Sequence, residues 1–223
     1  MSIGKNIETI KAGLPEGIKL IAVSKTQSIE VTHQAYQSGH RIFGENKAQE
    51  AATKASALPA DIEWHFIGHL QTNKVKLIAP FVNTIHSVDS IKLLYEIDKE
   101  AKKNNRIIKC LLQFHIASEE TKFGLDMQEA ITFIESPEIK TFHNISITGV
   151  MGMATFSSDQ NLVRREFKNL KEIFSWIKET YYANQTEFKE ISMGMSGDYQ
   201  IAIEEGSTII RVGTAIFGER NYQ

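Results

Sequence analysis

The chain has 223 residues, of which 42% are hydrophobic and 23% charged, a balance that fits an ordinary folded protein rather than a disordered one. Its 25 basic and 27 acidic residues leave a formal net charge of -2, so no global basic field points to nucleic acid. A single cysteine, Cys110, excludes an internal disulfide or a cysteine metal cluster, and no apolar run approaches the roughly 18 residues of a membrane span.

The N-terminal stretch MSIGKNIETIKAGL mixes Lys5, Glu8 and Lys11 with apolar residues, which suits a leading helix and not a signal-peptide core. A cytoplasmic protein is the resulting expectation. The first strand is IKLIAVSK, residues 18–25, apolar on both faces as a covered parallel strand requires. Short apolar strands recur at Arg41–Gly44, Glu63–Ile67, Thr84–Val88, Ile108–Ile116, Ile145–Met151, Lys189–Met193 and Thr208–Val212. Cys110 lies in the fifth, among Ile108, Leu111 and Leu112, and reads as a buried strand thiol.

Helical patterns fill the gaps. After the fourth strand, Asp89 or Ser90 can cap a helix whose stripe is Ile91, Leu94, Ile97 and Ala101, ending in Lys102 and Lys103. After the fifth, Asp126 and Glu129 resemble a capping box, Met127, Ala130, Ile131 and Ile134 form the stripe, and Pro137 ends it. The longest helix carries Val163, Phe167, Leu170, Phe174, Ile177 and Tyr181, a core-facing stripe. Eight strands, each followed by a helix, predict a single (β/α)8 TIM-type barrel domain over residues 1–223 with an extra N-terminal helix. An open doubly wound sheet is the alternative, but no GxGxxG follows the first strand.

In a barrel, chemistry belongs at the C-terminal strand ends. There the sequence places Ser24-Lys25-Thr26, Gly44-Glu45-Asn46, Gly68-His69, Met193–Asp198 and Arg211–Thr214, with Lys122 in a loop. Ser196, Gly213 and Thr214 have the composition of a phosphate cradle, or equally of a plain helix cap and tight turn. Lys25 follows Ile21 and Val23 on one strand face, so its amine is either a nucleophile in the barrel mouth or a solvated cation. Together they describe a ligand that is both aldehyde and phosphate, for which pyridoxal 5′-phosphate (PLP) and a phosphosugar both qualify. His65 and His69 straddle a strand and a turn and do not make a zinc pair, and the other histidines read as scattered surface or core residues. The basic run Lys99, Lys102, Lys103 and Arg106 reads as a solvated helix face.

The segments LIAVSKT, RIFGENKAQE, WHFIGHLQTNK, ISMGMSGDYQIAI and IRVGTAIFGER, in this order from Leu20 to Arg220, resemble the YggS/PROSC-type PLP homeostasis proteins. The resemblance implies a PLP-binding barrel similar to the N-terminal domain of alanine racemases. It also implies that Lys25 is the Schiff-base lysine and that Ser196, Gly213 and Thr214 lie in the phosphate-binding segments. By the same resemblance Arg211 stands beside the pyridine nitrogen, Asn46 near the ring hydroxyl, and Lys122 matches a second lysine implicated in PLP exchange. HIASEET and GVMGMAT depart from the usual family segments and could alter the barrel mouth.

A guanidinium donates and cannot accept, so Arg211 in that place leaves the ring nitrogen unprotonated and the cofactor a weak electron sink. The sequence ends at Gln223, and the β-domain that supplies the opposing tyrosine in alanine racemases is expected to be missing. The expected function is storage, protection and delivery of PLP without substantial turnover, by a cytoplasmic monomer with apo PLP-dependent enzymes as candidate recipients. A minimal PLP-dependent amino-acid racemase and a PLP-free phosphosugar enzyme are the competing readings.

Overall fold

Ser2 opens the first helix: its hydroxyl accepts from the Lys5 N–H, and α1 (Ile3–Ala12) then buries Ile7 and Ile10. The structure, a computed structural model, describes residues 2–119 and 123–219. After α1 the chain alternates strand and helix. β1 (Lys19–Val23) leads to α2 (Ile29–Gln37), β2 (Ile42–Glu45) to α3 (Ala48–Ala57), and β3 (Glu63–Phe66) to the short α4 (Val75–Ile78). β4 (Val82–Val88) precedes α5 (Ile91–Lys103), β5 (Ile108–Phe114) precedes α6 (Met127–Glu135), and β6 (Ile145–Gly152) precedes α7 (Gln160–Tyr181). β7 (Glu190–Ser192), α8 (Tyr199–Glu204), β8 (Ile209–Val212) and α9 (Thr214–Phe217) complete the order. All strand pairs are parallel, and β1 pairs with both β2 and β8, closing the predicted eight-stranded barrel.

The two-residue period of a strand sorts the side chains. Leu20, Ala22, Ile210 and Val212 face outward and pack with Ile7, Ala35 and Ile216 of the helix layer. Ile21, Val23 and Ile209 face the barrel axis, where they meet Leu111 and Met151. On α7 the stripe Val163, Phe167, Leu170, Phe174 and Ile177 is buried as its spacing predicts, with Tyr181 at its end half-buried; each large buried side chain contributes about 1.5–3 kcal/mol on transfer from water. Ser90, not Asp89, caps α5, and the capping box of Asp126 and Glu129 is complete. The α6 stripe differs most: its buried residues are Ala130 and Phe133, while Met127, Ile131 and Ile134 are only half-buried. Phe133 enters the core instead, a choice among equally apolar residues that docking on the barrel makes. Cys110 is fully buried in β5, and burial pushes its thiol pKa up.

Candidate functional site

Six strand ends converge on a cavity of about 320 Å³ at the C-terminal mouth of the barrel. Its lining includes Val23 and Lys25 from the end of β1, Asn46 after β2, Ile67 after β3, Met195 to Asp198 after β7, and Arg211, Gly213 and Thr214 from the end of β8. Six of the seven expected site residues are thereby brought together; the seventh, Lys122, lies outside the described residues. The volume falls at the low end of the roughly 300–1,000 Å³ of small-molecule sites.

Lys25 is half-buried and sits in a turn held from below. β1 stops at Val23, short of the expected Lys25, because Thr26 takes a left-handed φ of 65°, a conformation that a β-branched residue adopts only under constraint. The constraint is an ionic cluster. The Thr26 N–H donates to Glu50 Oε1 at 2.6 Å, and the ammonium of Lys54, 2% exposed, donates to Ser24 O, Glu45 Oε1 and Glu50 Oε1 at 2.6, 2.7 and 2.8 Å. Burial raises the Glu45 pKa, against the opposing pull of Lys54 and of the Ser24 hydroxyl, which donates to Glu45 at 2.6 Å. FGENKAQE thus carries a scaffold as well as a lining residue.

Opposite Lys25, the chain leaves β7 through Gly194, whose φ of 92° and close approach to Tyr199 and Ala202 admit no side chain. That turn brings Ser196 against the end of β8. Ser196 Oγ accepts from the Gly213 N–H at 3.2 Å and the Ala215 N–H at 3.5 Å, which leaves its own hydrogen for a further acceptor. The two backbone N–H groups therefore fix the Ser196 hydroxyl, and Ser196, Gly213 and Thr214 share one corner of the cavity, where the two hydroxyls are donors for an anion. Asp198 turns its carboxylate back to the Met195 N–H, at 2.5 Å.

Arg211 is 4% exposed, with Nη1 donating to Ser192 Oγ at 2.7 Å and Nη2 to Gly152 O at 3.1 Å. Burial lowers its pKa to about 10, opposed by Asp198, so it remains a cation at neutral pH. On the far wall, Asn46 Oδ1 is buried without a hydrogen-bond partner. An orphaned polar atom lining a cavity awaits a donor from a ligand. An amine, an anion cradle, a fixed cation and an unsatisfied amide oxygen fit a phosphorylated aromatic aldehyde that carries a ring hydroxyl and a ring nitrogen.

Sequence reasoning missed part of the wall. Met153, Thr155, Phe156 and Ser157, from the loop after β6, also line the cavity, and Phe156 is 95% exposed at its rim. Glu166 on α7 organises that loop: its carboxylate accepts from the N–H and hydroxyl of both Ser118 and Thr155, at 2.6–2.9 Å. Burial alone would raise its pKa, but those donors outweigh burial and hold it below the ordinary value. The position after a barrel strand was the available signal; the sequence GMATFS by itself has no charged group to mark it. His69 stacks on Phe123 with ring centroids 4.2 Å apart, while His86, expected to be scattered, lies beside His65 inside the barrel, with ring nitrogens 2.7 Å apart.

The model of the alanine racemase N-terminal domain family matches residues 2–221. A pyridoxal phosphate homeostasis protein of Aquifex aeolicus is 40% identical over 205 residues, covering 92% of this chain and 88% of that one. Its counterpart in Vibrio alginolyticus is 36% identical with 99% of both chains covered, and that of Homo sapiens 38% identical over 92% of this chain and 77% of its own. Among solved structures, PipY of Synechococcus elongatus with PLP bound superposes with a TM-score of 0.86 at 33% identity, covering 97% of this chain and all of PipY. The alanine racemase of Bartonella henselae shares the fold, with a TM-score of 0.69 at 17% identity over 98% of this chain and 60% of the enzyme.

Proposed function

This chain belongs to the pyridoxal phosphate homeostasis protein family, built on the alanine racemase N-terminal domain, and from that premise we propose that it holds PLP on Lys25 as a Schiff base and releases it without substantial turnover. The observation that carries the proposal is the convergence of Lys25, Asn46, Ser196, Arg211, Gly213 and Thr214 on one cavity. PLP supplies an aldehyde that condenses with amines and a ring that withdraws electrons strongly only when its nitrogen is protonated.

The residues divide that work. Lys25 presents its amine from a turn that the Lys54 cluster holds rigid. The Ser196 and Thr214 hydroxyls bind the phosphate, the Gly213 N–H holds Ser196 in place for it, and Asn46 orients the ring hydroxyl through its unsatisfied Oδ1. Arg211, buried and cationic, offers only donors to the ring nitrogen, so that nitrogen keeps its lone pair and carbanions next to the imine gain little stabilisation. Imine exchange needs no such stabilisation, which separates carrying PLP from racemising an amino acid. Lys122 belongs to the same proposal as a second amine on the path of exchange. So do a single-domain monomeric state, residence in the cytoplasm and apo PLP-dependent enzymes as recipients.

Borohydride reduction of the PLP-loaded protein followed by peptide mass spectrometry tests the attachment. The pyridoxyl adduct is expected on Lys25 and is expected to vanish in Lys25→Ala, which should still fold; a full-strength adduct elsewhere in that variant would refute the assignment. Chiral chromatography after long incubation with excess L-alanine tests the absence of turnover. Racemisation at about one per second or faster, within the ordinary range of enzymes, would establish the racemase reading instead.

A further inference from the structure

Beneath the cavity, a line of polar side chains runs down the barrel axis. Strand alternation turns Glu63 and His65 of β3, His86 of β4, Ser192 of β7 and Arg211 of β8 inward. Their contacts are sequential. Glu63 Oε1 lies 3.1 Å from His65 Nε2, His65 Nδ1 lies 2.7 Å from His86 Nε2, His86 Nδ1 lies 2.9 Å from Ser192 Oγ, and Arg211 Nη1 donates to Ser192 Oγ at 2.7 Å. His65, His86, Ser192 and Arg211 are at most 4% exposed. Arg211 lines the upper cavity, whereas Glu63 and His65 line a separate polar cavity of about 70 Å³ at the opposite mouth.

The carboxylate end dictates where every proton sits. Glu63 can only accept, so a neutral His65 carries its hydrogen on Nε2 and leaves Nδ1 as an acceptor. A neutral His86 then carries its hydrogen on Nε2, directed at His65 Nδ1. Its bare Nδ1 takes the Ser192 hydrogen, and Ser192 Oγ keeps its lone pairs for the Arg211 guanidinium, which can only donate. All four links are satisfied in this one order. Reversing a single link sets two donors or two acceptors against each other. Burial lowers the pKa of both histidines and so maintains the neutral rings that the order requires.

We propose that Glu63, His65, His86 and Ser192 are positioning residues: a directional hydrogen-bond chain that fixes the Arg211 guanidinium at the floor of the cofactor cavity and ties its orientation to the opposite mouth of the barrel. Its effect on PLP rests on the placing of the ring beside Arg211 proposed above; the chain itself does not. The chain gives the buried cation a fixed partner on one side and leaves the rest of its donor fork to Gly152 and the cavity. Without Ser192, Nη1 has lost its acceptor, and the guanidinium is free to turn toward whatever the cavity contains.

Two measurements test this. Long-range proton–nitrogen correlation on ligand-free protein with ¹⁵N-labelled histidine, at neutral pH, should show His65 and His86 both neutral and both protonated on Nε2. An imidazolium at either position, or a hydrogen on Nδ1 of either, would overturn the chain while leaving PLP binding as it stands. PLP-loaded Ser192→Ala, which removes one oxygen, and Glu63→Gln, at the far end, should then each shift the absorption maximum of the bound cofactor, with Lys25 still carrying the borohydride-reduced adduct. A cavity with a merely structural chain would leave that maximum unmoved, so an unchanged band in both variants would overturn the positioning role. A wild-type protein that develops no PLP band would instead overturn the PLP reading and, with it, the chain's link to the cofactor.

Discussion

Replacing Lys54 by methionine removes the centre of the cluster beneath the Lys25 turn, and the cost can be worked from the structure. The ammonium donates to Ser24 O, Glu45 Oε1 and Glu50 Oε1 within 2.8 Å. Glu50 is partly open to water, but Glu45 is 1% exposed and already has one unpartnered oxygen. Methionine of similar length fills the space and strands the Glu45 carboxyl. Breaking a buried pair from one side costs about 3–5 kcal/mol, and at roughly 2–4 °C per kcal/mol for a domain of this size the midpoint of thermal unfolding should fall by about 6–20 °C. Burial already raises the Glu45 pKa, and without Lys54 it rises further. A carboxyl whose folded pKa is raised costs nothing extra below its unfolded pKa and progressively more as pH rises toward the folded value. The deficit, followed by circular dichroism, should therefore be larger at neutral pH than under mildly acidic conditions. Adding Glu45→Gln to the Lys54→Met variant neutralises the stranded group and should recover part of the loss. A midpoint lowered by less than about 2 °C, below 1 kcal/mol on the same scale, would refute the reasoning, as would a deficit that grows on acidification.

Ser196→Ala and Thr214→Ala should each weaken PLP retention by about 1.5–3 kcal/mol, roughly tenfold to a hundredfold in Kd, because each deletes one hydrogen bond to a charged phosphate; equilibrium titration that finds the double variant unchanged would remove the phosphate site from this corner. Gly68→Ala would place a Cβ 2.5 Å from Asn46 O and 2.8 Å from its Cα. The Asn46 backbone must then move, and a loss of about 1–3 kcal/mol in urea unfolding, together with weaker PLP retention, is expected. His40 is 2% exposed, and burial together with the charge of Lys11 lowers its pKa from 6.5 to about 4. It folds neutral, so its contribution is fully present above pH 6.5 and is lost as pH falls toward 4, on the order of 3 kcal/mol. His65 and His86, also lowered by burial, act in the same direction, and a stability that stays flat through this window would contradict the assignment.

Periodicity made the barrel legible. Short apolar strands alternating with amphipathic helices leave few other closed solutions, and Ile21-Val23-Lys25 shows in one dimension that the lysine continues the inward face of β1. The strand ends after β1, β2, β7 and β8 were legible for the same reason, and six of the residues they carry do share one cavity. The α6 stripe was misjudged because Ile131, Phe133 and Ile134 are equally apolar, and only the docking of the helix on the barrel decides which of them is buried. Polar residues that act through one another were not legible at all. Glu63, His65, His86, Ser192 and Arg211 span 149 positions of sequence, counted from Glu63 to Arg211 inclusive, and nothing local distinguishes a histidine that faces another histidine from one that faces water. The same holds for Glu50 and Lys54, whose spacing reads as ordinary helix-surface charge until the fold buries Lys54 against Ser24 and Glu45. By itself the sequence determined the barrel and the strand ends that carry the site, because side-chain direction along a strand is a local, two-residue property. Closure of the barrel decided which buried donors meet which acceptors, because those contacts cross the axis between strands far apart in the chain.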